Sequence, residues 1–138
     1  MTHPSLYALL GFVVWTMLVV VVGIGTPRLS AIWARRAPPK SFLADVPHGS
    51  DRYRRTMRAH ANCVENLPIF AALVLIARAV SLESGVFEAL AVTVLPARVG
   101  QTLTHVASGS NRAVVVRFLF FTVQLLCFAA MTVILVSG

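Results

Sequence analysis

Residues 57–80 read MRAHANCVENLPIFAALVLIARAV, and this stretch decides the architecture. Its second half, from Leu67 to Val80, is apolar enough for a bilayer. Its first half carries Arg58, Asn62 and Glu65 at intervals of four and three. At about 100° per residue these three fall within about 60° of one another on a helix. His60 faces the other way, and Asn66 lies at the edge of the stripe. An ionisable group on a membrane helix is costly unless it is paired or lines a cavity. Glu65 lies two turns from Arg58, beyond the reach of an i, i+4 pair. Its partner is therefore expected on another helix or in a ligand.

The whole composition points the same way. The chain has 138 residues, of which 57% are hydrophobic and 12% charged, and its mean hydropathy is +0.79. That balance fits a small polytopic membrane protein rather than a soluble domain, and leaves room for a single domain. The net charge of +7 does not come from a basic patch with interleaved aromatics, which argues against nucleic acid. Cys63 and Cys127 both fall in apolar segments, so neither a disulfide framework nor a CxxC metal site is present.

Outward from the central stretch, Pro4 to Thr26 contains no Lys, Arg, Asp or Glu over 23 residues. It is long enough to span a hydrocarbon core of about 30 Å. A signal peptide would begin with a positive region, which is lacking, so this is a first transmembrane helix continuing to about Trp33. Gly23, Gly25 and Pro27 predict a local bend near its end, and Arg28 reads as an interfacial anchor. Arg35 to Thr56 reads as a loop, with Pro38-Pro39, Pro47 and Gly49. Eight of the twelve basic residues lie from Arg28 to Arg58, so the positive-inside rule makes this loop cytoplasmic.

Pro68 lies inside the second span, where proline frees a carbonyl and often kinks a membrane helix. A third span runs from about Val86 to Ala107. In it Arg98, Gln101 and His105 again share one face, at a depth matching the first polar stripe. The fourth span, Ala113 to Val136, carries Arg117 one turn inside and Arg112 at its boundary. Gln124 reads as a bond across a helix interface, and the cysteines as small packing residues. The predicted fold is an all-α integral membrane bundle of four up-down-up-down helices. They lie at about 5–33, 57–80, 86–107 and 112–137, in one domain over residues 1–138.

Arg58-Ala-His-Ala-Asn62-Cys-Val-Glu65-Asn-Leu-Pro68-Ile-Phe70 resembles the second-helix signature of the MAPEG family, the membrane-associated proteins of eicosanoid and glutathione metabolism. Gly25-Thr-Pro-Arg28-Leu resembles the family's first-helix end, and Ala97-Arg98-Val-Gly-Gln101-Thr-Leu-Thr-His105 its third-helix segment. The likeness covers nearly the whole chain. It implies a homotrimer that binds glutathione, or another low-molecular-weight thiol, at subunit interfaces near the cytoplasmic side of a bacterial inner membrane. It implies a transferase or peroxidase acting on a lipophilic electrophile or hydroperoxide. The alternative is a non-catalytic lipid-binding or regulatory member.

On that resemblance Arg28, Arg58, Asn62, Glu65, Arg98, Gln101 and His105 would hold the thiol peptide. Either Arg112 or Arg117 would activate the sulfur. The charges suit the ligand, since arginines take carboxylates bidentately while Glu65 and Asn62 accept from nitrogen donors. The sequence departs from the family pattern at several points. Ala61 stands where some members have arginine. Gln101 and His105 stand where prostaglandin E and leukotriene synthases have His or Tyr and then Tyr. Neither Arg112 nor Arg117 is followed by the serine of the family pattern, the next residues being Ala113 and Phe118. Phe121 stands where a tyrosine could lie one turn on from Arg117. A small transporter is the third reading, although four short helices show no inverted repeat.

Overall fold

A computed structural model of the chain describes residues 3–43 and 48–137, so Pro47 of the expected loop lies outside the described residues. Four long helices account for most of it. They are α1 (Pro4–Trp33), α2 (Asp51–Ala79), α3 (Gly85–Ala107) and α4 (Asn111–Ser137). Three of them, α1, α2 and α4, are long and apolar enough to cross a membrane. The exception is α3, the expected third span, whose apolarity is lowered by Glu88, Arg98, Gln101 and His105. The bundle compensates by burying Arg98, Gln101 and Thr102 from that helix. Large apolar side chains such as Leu10, Val22, Leu119 and Val133 remain exposed on the other helices, as befits helices solvated by lipid.

One expectation about the helices is corrected and another takes a specific form. The second helix begins at Asp51 rather than at residue 57, which shortens the loop. Ser50 supplies the cap, its Oγ accepting from the backbone N–H of Tyr53 at 3.3 Å. Asp51 in the first turn is paired with Arg54, and a carboxylate there is favoured by the helix dipole. Gly49 precedes the cap with φ +79°, a conformation that suits glycine. The bend expected around Gly23, Gly25 and Pro27 takes the form of a π-helical stretch, Val19–Gly25. Pro27 has no N–H to give to the preceding turn, and Thr26 Oγ1 donates to the Val21 carbonyl at 3.1 Å. The Val21 carbonyl, which also accepts the Thr26 N–H across the widened turn, thus takes two donors from one residue. Helix α2 is assigned without interruption through Pro68.

The core is an aromatic ladder across three helices. Phe12 of α1 lies 5.8 Å from Phe70 of α2 between ring centroids, and Phe70 lies 6.0 Å from Phe128 of α4. Val74, Phe87, Val94 and Met131 fill the space around it. Cys63 and Cys127 are free and buried, in the packing role their apolar context predicted.

A polar clamp closes one end. Ser5, at the start of α1, donates to Glu88 from both its N–H (2.6 Å) and its hydroxyl (3.0 Å). Arg78, at the end of α2, pairs with Glu88 at 3.1 Å and donates to the Leu82 carbonyl at 2.7 Å. One carboxylate on α3 therefore ties together the beginning of α1 and the end of α2.

Candidate functional site

The two polar stripes meet. A cleft of about 500 Å³ lies between α2, α3 and α4, and its polar wall is formed by Asn62, Glu65, Asn66, Gln101, His105 and Arg117. The spacing of four and three along α2 brings Asn62 and Glu65 to the same side as Gln101 and His105 of α3. Arg117 faces them from the first turns of α4. The rest of the lining is apolar, with Ile69, Val114, Phe118, Phe121 and Leu125. The cleft thus joins a charged, hydrogen-bonding side to a side made for hydrocarbon.

The buried amides fix part of its chemistry. Gln124 donates to the Phe120 carbonyl at 2.9 Å, an oxygen that can only accept, so its amide nitrogen must point that way. The same nitrogen donates to Oε1 of Gln101 at 3.1 Å. With its oxygen so engaged, Gln101 has its NH₂ group left as a donor. Gln124 thus serves the helix interface, as its sequence position implied.

Charge is concentrated here. Arg117, Arg58 and Arg55 are all near enough to His105 to act on it electrostatically. Glu65 is the carboxylate on the cleft wall, and among the described residues it has no hydrogen bond or ion pair. Cationic guanidiniums and one open carboxylate form a complement to a molecule bearing carboxylates and an ammonium.

The remaining candidates fall elsewhere. Arg98 is buried to 1% exposure, with its guanidinium carbon 5.2 Å from the Phe12 ring centroid and its Nε and Nη2 atoms without hydrogen-bond partners. It sits close to Cys63 and within electrostatic range of Glu65, but does not line the cleft. Arg58 is exposed on α2, and Arg112 is exposed at the start of α4. Arg28 turns toward the start of α2, where its Nε donates to the Tyr53 hydroxyl at 2.5 Å, and its guanidinium carbon lies 5.5 Å from the ring centroid of Phe42 in the loop. Sequence reading placed Asn66 at the stripe's edge, yet it lines the cleft, its side chain donating to the Asn62 carbonyl at 2.8 Å. No spacing rule marks Phe118, Phe121 or Leu125 as cleft residues, because their orientation depends on how α4 is rotated against α3.

These features define a helical membrane protein with an ionisable cleft at the edge of its apolar bundle. The MAPEG family model matches residues 5–137, and the chain belongs to that family. Among curated proteins none matches the chain.

Proposed function

We propose that the protein is a glutathione-dependent membrane transferase or peroxidase acting on a lipophilic electrophile or hydroperoxide. The observation that carries the reading is the convergence of Asn62, Glu65, Gln101, His105 and Arg117 on one cleft whose remaining lining is apolar, in a chain of the MAPEG family. In this reading Glu65 and Asn62 receive the ligand's nitrogen donors, while Gln101 and the arginines receive its carboxylates. Arg117 takes the sulfur in preference to Arg112, because Arg117 lines the cleft and Arg112 does not. A thiol pKa of about 8.5 falls beside a cation, which raises the thiolate fraction available for attack. His105 contributes a hydrogen bond. The apolar wall holds the second substrate, which enters from the bilayer.

The chain is proposed to work as a homotrimer of up-down-up-down bundles in a bacterial inner membrane, with the basic loop cytoplasmic and α3 as a fourth span. The trimer supplies what a single chain lacks. Arg28 reaches ligand across a subunit boundary, Arg58 adds its charge beside His105, and Arg98 acts from behind the cleft wall through Glu65. Another low-molecular-weight thiol of similar charge would fit the same groups.

One observation favours a second reading, a non-catalytic lipid-binding or regulatory protein. Phe118 and Phe121 bring no hydroxyl to the wall beside Arg117. Calorimetric titration of glutathione into the purified protein in detergent, with Arg58→Ala and Glu65→Gln alongside, tests the ligand. Saturable binding lost in both variants supports the site, and no binding at millimolar glutathione removes it. Turnover of a chlorodinitrobenzene then separates the catalytic reading from the second one.

A further inference from the structure

A second cavity, of about 580 Å³, lies on a different face of α3 from the cleft and is bounded by α1 and the first turns of α2. Its long walls are hydrocarbon, with Leu18, Val19 and Val22 on one side and Leu103 and Val106 on the other. On α1 it extends from Trp15 to Pro27, roughly 18 Å at 1.5 Å per residue. Leu18, Val22 and Leu103 are exposed along it, so the groove opens sideways to the bilayer.

Its polar end has a different composition. Ser50, Arg52, Tyr53 and Thr56 close it where α2 begins, and among the described residues no carboxylate lines it. Asp51, the nearest acid in sequence, is engaged by Arg54. Among the described residues the Arg52 guanidinium has no hydrogen bond or ion pair. The Tyr53 hydroxyl accepts from Arg28 and the Ser50 hydroxyl accepts from the Tyr53 N–H, so each retains its own proton to donate. One uncommitted cation and two uncommitted O–H donors thus stand at the mouth of a lipid-length apolar groove. Farther along it, Trp15 Nε1 is buried without a hydrogen-bond partner.

We infer that this groove binds an anionic phospholipid of the surrounding bilayer. Its phosphate would rest on Arg52, Ser50 and Tyr53, and one acyl chain would lie between α1 and α3. Charge complementarity selects the headgroup, since the described residues of the groove's polar end offer donors and positive charge. Basic pockets between membrane helices at the cytoplasmic surface favour such lipids. The inference rests on the membrane setting, not on the thiol chemistry, and its test contains no glutathione.

The two tryptophans, Trp15 and Trp33, permit a direct test, because Trp33 is 83% exposed and replaceable. The Trp33→Phe protein, whose emission comes from Trp15, is reconstituted in phosphatidylcholine vesicles. Phosphatidylglycerol or phosphatidylcholine with brominated acyl chains is then titrated in as a contact quencher. Half-quenching is expected at about fivefold lower mole fraction for the anionic lipid, the scale set by one arginine at an anionic surface. Adding Arg52→Gln should bring the two curves together, whereas Arg36→Gln, outside the groove, should leave them apart. Equal quenching by both lipids in the parent protein, or a preference that survives Arg52→Gln, overturns the inference. So does a Trp15 that neither lipid quenches, which would mean that a second copy of the chain covers the groove.

Discussion

Nε2 of Gln124 donates to Oε1 of Gln101 at 3.1 Å, joining α4 to α3 directly behind the cleft wall. Gln124 is fully buried and Gln101 nearly so. The pair therefore controls which end of the Gln101 amide the cleft sees.

Removing one partner should separate stability from binding. Gln124→Met leaves the Gln101 oxygen without its donor, at a cost of about 1 kcal/mol on the scale of interhelical hydrogen bonds in membranes. The amide is then free to turn, and glutathione affinity should fall as well. The double variant Gln101→Leu/Gln124→Met should recover thermal stability, since replacing both partners by apolar groups is nearly neutral. Its glutathione binding should stay weak by calorimetry.

The two fourth-helix arginines should behave differently. Arg117→Gln is expected to lower conjugation of a chlorodinitrobenzene at least tenfold, equivalent to about 1.4 kcal/mol of transition-state stabilisation. Arg112→Gln, at an exposed position outside the cleft, should leave the rate near that of the parent. A reversed order in the kinetic assay would move the thiol to the other arginine.

Arg98 should prove expendable for folding and needed for ligand. Its charge is buried with two nitrogens unpaired and, among the described residues, no carboxylate within the 4.0 Å of an ion pair. Replacing a poorly paired buried charge by an apolar group of similar volume is often neutral or stabilising. Arg98→Met should accordingly keep or raise the melting temperature of the ligand-free protein in detergent. The further rise produced by saturating glutathione, which reports binding to the folded state, should shrink.

At the other end of the bundle the effect should invert. Glu88→Ala removes the acceptor shared by Ser5 and Arg78, and Arg78 keeps its charge in a largely enclosed place. A loss of about 1–3 kcal/mol is expected, below the 3–5 kcal/mol of a fully buried pair because both side chains retain some solvent contact. Thermal denaturation should register it. Glutathione affinity should not change, as Glu88 is seventeen residues, or about 25 Å, along α3 from His105.

How far the sequence reading reached depended on the range of the interaction involved. The charge-free run after Pro4 placed α1 within a residue, because hydrophobic length is a local property. The stripes on α2 and α3 bring Asn62, Glu65, Gln101 and His105 to one cleft but not Arg58 and Arg98; helical periodicity fixes which side chains share a face, not which of them a neighbouring helix covers. The early start of α2 was missed although Ser50 and Asp51 are an ordinary cap and first turn; proline, glycine and arginine around them masked the signal. Which of Arg112 and Arg117 lines the cleft depends on the rotation of α4, which no local pattern encodes. The capture of Arg28 by Tyr53 joins residues twenty-five apart across a loop, so it too was invisible before the chain was folded.

The π-helical stretch Val19–Gly25 has a consequence for the indexing of α1 itself. The segment before it, Pro4–Leu18, packs mainly on α3, while the stretch itself packs on α2, with Gly23 so close that an added Cβ would lie 2.5 Å from Thr56 Cγ2. A wide turn inserts roughly one residue of phase, about 100° of rotation in a regular α-helix. Deleting a single valine from Val19–Val22 would restore an unbroken α-helix and turn one half of α1 against the other. Either Ser5 and Phe12 would leave Glu88 and Arg98, or Gly23 and Arg28 would leave Thr56 and Tyr53. The extra residue acts as a phase shifter, allowing one rod to stay in register with two different neighbours.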